Sequence, residues 1–275
     1  MNTFTSNNYS KTRPSLFFLP LFFLTIIILF LYSQDALSAV KYIEIQKKYF
    51  YIINFKLAQF SLLIYNITQI GDALIFLSFL TIFIVYIPKI WESLIPSLLV
   101  SAIFSTTLKF FFKIPRPAAV FDNNTFNIIG KVLTGNSSLP SGHSITVFTI
   151  ITLLLFAFMP EKWNYKVIWC LLLMFIGVLI AFTRVGVGAH YPLDVVIGSI
   201  VGYISGVSGI LINERYKVSS WISNIKYYPI FIFILLVCSI ILITKILNEN
   251  LIIFYLSFIS LIISLYKIIY VYTKK

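Results

Sequence analysis

The chain has 275 residues, 59% of them hydrophobic and only 11% charged, with a mean hydropathy of +0.95. No water-soluble globular domain tolerates that balance, so the chain belongs in a bilayer. Its net charge of +12 does not indicate nucleic acid, because the cations are strung between apolar runs; anionic lipid is the partner that fits, and Cys170 and Cys238 lie inside apolar runs, which argues against a disulfide framework.

Positions 1–14 are polar and carry Lys11 and Arg13. The run behind them, 16–32, precedes ALSA, a tolerable signal-peptidase site, yet it is longer and more aromatic than a signal-peptide core and is expected to stay as an uncleaved anchor helix. The next segment, KYIEIQKKYFYIINFKLAQF, mixes lysines with tyrosines and phenylalanines and is expected to lie along the membrane surface. Further apolar runs follow at 73–87, 94–112, 145–159, 167–183, 193–212, 230–247 and 251–269. With the first run they predict an all-α, polytopic membrane protein of about eight transmembrane helices. The last two runs, joined by the polar turn LNENL, carry no feature tied to chemistry.

A cytoplasmic amino terminus places Lys89, Lys162, Lys166, Arg215, Lys217, Lys226, Lys274 and Lys275 inside, as the positive-inside rule asks. Lys41, Lys47, Lys48 and Lys56 fall outside, in a long segment that counts less in that rule. In the helix after His190, Gly198, Gly202 and Gly206 leave one stripe bare of side chain, which predicts tight packing against a neighbour.

Three polar segments fall on the same, extracytoplasmic face: KFFFKIPRP, LPSGHS and TRVGVGAHYPLD. In the first, Lys109, Lys113 and Arg116 share a helical face at spacings of four and three before Pro115 and Pro117 stop the helix. In the second, Ser141, Gly142 and His143 open a helix, where free backbone amides make an anion cradle. In the third, Arg184 ends one helix, Pro192 suits the first turn of the next, and Asp194 comes within reach of His190. A carboxylate that accepts one ring N–H fixes the tautomer and leaves the other nitrogen as nucleophile or base. These are the only two histidines in the chain. Two histidines and an aspartate also match a facial metal triad, but Lys109, Arg116 and Arg184 would crowd a divalent cation and suit the oxygens of a phosphate instead; no metal and no cofactor is expected.

The elements K-x6-R-P, P-S-G-H and [T]R-x5-H-x3-D, in that order over 109–194, resemble the type 2 phosphatidic acid phosphatase family of membrane lipid phosphatases, relatives of the vanadate-dependent haloperoxidases. They cover about a third of the chain, and Thr183 stands where the pattern usually has serine. The resemblance implies a six-helix phosphatase core at 67–213, with an anchor helix and interfacial segment at 1–66 before it and a transmembrane helical pair at 214–275 after it. It also implies that His190 attacks phosphorus to form a phosphohistidine, that Asp194 orients it, and that His143 protonates the leaving oxygen. Lys109, Arg116 and Arg184, with Ser141 and the Gly142 amide, would bind the phosphoryl oxygens.

The expected activity is hydrolysis of a phosphomonoester or diphosphate on a membrane lipid, at the outer surface of a bacterial inner membrane. Substrates the family implies are polyprenyl diphosphate, phosphatidylglycerophosphate, phosphatidic acid and the phosphates of lipid A. The alternatives are a phosphotransferase that passes the phosphate to a second lipid and, from a different class, a transporter that holds an anion without chemistry; transporters usually show paired broken helices in two related halves, and no such repeat is present.

Overall fold

A computed structural model describes residues 1–274. The helices are α1 (Asn2–Ser10), α2 (Phe18–Ser33), α3 (Ala39–Ala58), α4 (Ser61–Gln69), α5 (Ala73–Leu80), α6 (Phe83–Tyr86), α7 (Pro88–Phe112), α8 (Pro117–Val120), α9 (Gly142–Ala157), α10 (Trp163–Gly186), α11 (Pro192–Tyr216), α12 (Tyr228–Glu249) and α13 (Ile252–Thr273), and no strand occurs among the described residues. Six spans are long and apolar enough to cross a membrane, and the pair α3 and α4 passes the same test as a broken span. The protein is therefore an all-α, multi-pass membrane protein.

α9 is the hub. It is a 16-residue apolar helix with eleven buried residues, surrounded by α7, α10 and α11. The glycine stripe of α11 lies on it: a Cβ at Gly198 would stand 2.7 Å from the Ser141 carbonyl oxygen, at Gly202 2.5 Å from that of Ile145, and at Gly206 2.7 Å from Thr152 Cβ. The backbones approach so closely that Thr149 Oγ1 donates to the Gly202 carbonyl at 3.2 Å.

The polar amino-terminal segment is more ordered than its composition suggests. α1 folds back onto the far end of α9, where Tyr9 is fully buried and donates to the Leu153 carbonyl. Asn8 donates to the carbonyls of Ala157 and Met159, satisfying groups that a helix carboxyl end leaves open. The segment expected to lie along the membrane surface forms the helix α3, which meets α4 at 104°. Asn54 on α3 donates to the carbonyls of Asn127, Val185 and Gly186 and accepts from the Asn127 amide, tying α3 to the following loop and to the end of α10.

The apolar run at 73–87 does not form one continuous helix. α5 stops at Leu80 because the Trp91 indole takes the Leu80 carbonyl at 2.7 Å, and Ile84 N turns to the Thr81 carbonyl in a tighter turn. α12 and α13 form an antiparallel pair against α5, where Thr81 and Ser264 share a hydrogen bond of 2.7 Å and Ser260 donates to the Ser78 carbonyl.

Candidate active site

His190 sits in the turn between α10 and α11, 1% exposed, and the Arg184 carbonyl accepts from its amide at 3.3 Å. Asp194 is fully buried in the first turn of α11. Its Oδ1 accepts from Tyr42 Oη at 2.8 Å, and its Oδ2 accepts from the Tyr191 amide at 2.9 Å and from Ser138 Oγ at 2.6 Å. The expected histidine–aspartate contact exists but is longer than a hydrogen bond, with 3.6 Å from His190 Nδ1 to Asp194 Oδ2. Ser138 bridges it, since its hydroxyl lies 3.5 Å from Nδ1 while donating to the carboxylate.

The other ring nitrogen, Nε2, faces Arg116 Nη1 at 3.4 Å. Arginine only donates, so this geometry suits the tautomer with hydrogen on Nδ1 and a lone pair on Nε2. Burial first, then Arg116, Arg184 and Lys109, hold the imidazole well below its ordinary protonation range. These surroundings favour the neutral ring, with its free nitrogen pointed at a cation.

Lys109, Arg116 and Arg184 converge on this nitrogen from three elements. Lys109 lies in the last turn of α7, and a Cβ at Gly142 would stand 3.2 Å from its Nζ, so the ammonium faces the amino end of α9. Arg184 is 7% exposed; its Nη1 donates to Thr68, and its buried Nε has no partner within the protein. None of the three makes an ion pair among the described residues. Lys113 does not join them. α7 ends at Phe112, Lys113 takes a left-handed conformation at φ 47°, and its ammonium lies over the Phe110 ring, so the shared helical face of the three residues does not form.

His143 stands in the first turn of α9, packed so closely on Gly71 that a Cβ there would lie 2.9 Å from the ring. Ser141 is fully buried as the cap of α9: Ser144 N and Ser144 Oγ both donate to its hydroxyl, which leaves its own proton for a ligand. Its amide donates to the Asp194 carbonyl at 3.0 Å, joining the start of α9 to the start of α11. No three histidine, cysteine or acidic side chains are grouped as metal ligands among the described residues.

His143 and Arg184 line a cavity of about 200 Å³ whose opposite wall includes Tyr65, Asp72, Lys245 and Glu249. Lys245 Nζ is 3.1 Å from Asp72 Oδ2, and Tyr65 donates to Glu249 at 2.7 Å. The carboxyl-terminal pair, silent as sequence, thus reaches the mouth of the site. Nothing in LNENL signals it, because the reach depends on how α12 docks. Ser138, Tyr42 and Thr68 were likewise not anticipated; of these only Ser138, three residues before Ser141, lies near a motif.

A bundle of membrane-crossing helices that buries a histidine beside three cations with no ion pair among the described residues defines a membrane-embedded protein suited to a phosphate-like anion. Residues 91–217 match the model of the PAP2 superfamily. A protein named undecaprenyl-diphosphatase from Sulfolobus acidocaldarius is 32% identical over 164 residues, which span 54% of this chain and 74% of that protein. The crystal structure of Aquifex aeolicus LpxE superposes with a TM-score of 0.50 at 27% identity, covering 61% of this chain and 95% of that one. The chain belongs to the PAP2 superfamily, the type 2 phosphatidic acid phosphatases that its motifs resemble.

Proposed function

We propose that the protein is a membrane lipid phosphatase that hydrolyses a phosphomonoester or diphosphate on a lipid, with its site facing the extracytoplasmic side. The observation that carries this reading is the cation cluster: Lys109, Arg116 and Arg184, partly or wholly buried and in no ion pair among the described residues, lie around a buried histidine. Buried charges call for compensation, and a phosphate dianion in that space would receive charge-assisted bonds from all three.

In this mechanism His190 Nε2 attacks phosphorus while the bond to the leaving oxygen breaks, and His143 donates the proton that oxygen needs. Asp194, acting through Ser138, keeps the hydrogen on Nδ1 and stabilises the cationic ring in the phosphohistidine. A water then loses a proton to His143 and attacks phosphorus, the N–P bond breaks, and inorganic phosphate leaves. The three cations, the Ser141 hydroxyl and the Gly142 amide hold the equatorial oxygens as charge develops. The outward orientation is supported by the cations at the other end of the bundle, among them Lys89, Lys162 and Lys166.

The named relative makes a polyprenyl diphosphate the first substrate to try. Purified protein in detergent is incubated with polyprenyl diphosphate, phosphatidic acid, phosphatidylglycerophosphate and lipid A in excess chelator. Release of inorganic phosphate, its loss in His190→Ala and an acid-labile phosphoenzyme are expected. Turnover retained in His190→Ala, or abolished by chelator, overturns the mechanism; a phosphorylated acceptor lipid in place of free phosphate makes the protein a transferase.

A further inference from the structure

At the end of the bundle remote from the histidines, α1, the turn before α2, the end of α9 and the start of α10 line an open cavity of about 470 Å³. Its polar wall holds Lys11, Arg13 and Lys166 against the single acid Glu161, and none of the three cations is ion-paired among the described residues. Thr12 adds a buried hydroxyl with no hydrogen-bond partner. The wall is anchored by the Asn8 and Tyr9 bonds to α9, so the cations are presented by a fixed segment.

A second cavity of about 530 Å³ adjoins this one, and Leu16, Phe156 and Met159 line both. The second is a groove almost without polar surface. Cys170, Met174, Val178 and Phe182 on α10 face it at every fourth position, a stripe about 18 Å long at the 1.5 Å rise of a helix. Leu19 and Phe23 of α2 form the other bank. A cationic pocket beside an apolar groove that runs along the bundle suits the shape and charge of an amphiphile with an anionic head.

We infer that Lys11, Arg13, Lys166 and Thr12 bind the phosphate of an anionic glycerophospholipid whose acyl chain lies in the groove between α2 and α10. This is a second lipid site, separate from the catalytic one. α9 has His143 at one end and Ala157 at the other, and its 16 residues span about 24 Å. A headgroup bound by Lys166 therefore cannot reach His190, and the inference stands whether or not the protein proves to be a phosphatase.

The test is native mass spectrometry of the full-length protein titrated with phosphatidylglycerol or phosphatidylcholine in detergent. A preference for phosphatidylglycerol of about tenfold or more is expected, the scale of two or three interfacial cations. It should disappear in Lys11→Gln/Arg13→Gln/Lys166→Gln and persist in His190→Ala. Met174→Trp, which fills the groove and leaves the cations alone, should weaken both lipids. Equal retention of the two lipids, an unchanged preference in the triple variant or in Lys166→Gln alone, unaltered binding in Met174→Trp, or full competition by inorganic phosphate would each overturn the inference.

Discussion

Ser138→Ala isolates the least expected member of the site. The serine hydroxyl donates to Asp194 Oδ2 at 2.6 Å and stands 3.5 Å from His190 Nδ1, so its removal leaves the carboxylate with Tyr42 and the Tyr191 amide but without its link to the ring. A hydrogen bond to a charged group is worth about 1.5–3 kcal/mol. If that energy orients His190 in the transition state, kcat falls about 10- to 150-fold at 1.36 kcal/mol per decade. KM should stay within about twofold, because Ser138 is placed behind the ring and not among the phosphate ligands. Initial rates of phosphate release over a range of lipid phosphate in mixed micelles separate the two constants. A kcat within about twofold of the parent, or a loss carried wholly by KM, would refute the relay and return Ser138 to a packing role.

Because burial and three cations hold His190 well below the ordinary imidazole range, kcat/KM should persist as pH falls through that range and be lost only below it. Arg116→Gln removes one of those cations, so the acidic limb should move to higher pH; a limb that stays or moves lower contradicts the placement of Arg116 at Nε2. Gly202→Ala sets a Cβ 2.5 Å from the Ile145 carbonyl, where backbone must yield, and should cost about 1–3 kcal/mol, read as a lower Tm in detergent. Lys245→Met breaks a partly exposed pair with Asp72 at the cavity mouth and should raise KM about two- to fivefold with kcat retained, which steady-state kinetics can check.

What could be read from the chain alone was local. His143, His190 and Asp194 announce themselves because each occupies a helix start marked by proline or glycine, and the α11 stripe because glycines spaced by four need no partner to be seen. Tyr42 and Thr68 escape because they reach the site from segments 152 and 116 residues away from their partners, with nothing in YIEIQKK or NITQI to set them apart from an aromatic or polar helix face. Lys113 misleads for the opposite reason: its spacing fits a helix that ends one residue earlier. The break at Thr81 depends on an indole eleven residues beyond the carbonyl it takes, and hydropathy carries no trace of it.

The bond from the Ser141 amide to the Asp194 carbonyl, with Gly198 seated on the Ser141 backbone, works as a ruler. A slip of one residue along α11 would displace Asp194, and with it the support of His190, by about 1.5 Å relative to His143 on α9, a large error for any chemistry the two rings share. The strap and the glycine contact both resist that slide, and both are made by backbone. Neither contact involves the His190 ring, so a variant that replaces that side chain can leave the frame in place and serve as an inert cast of the site.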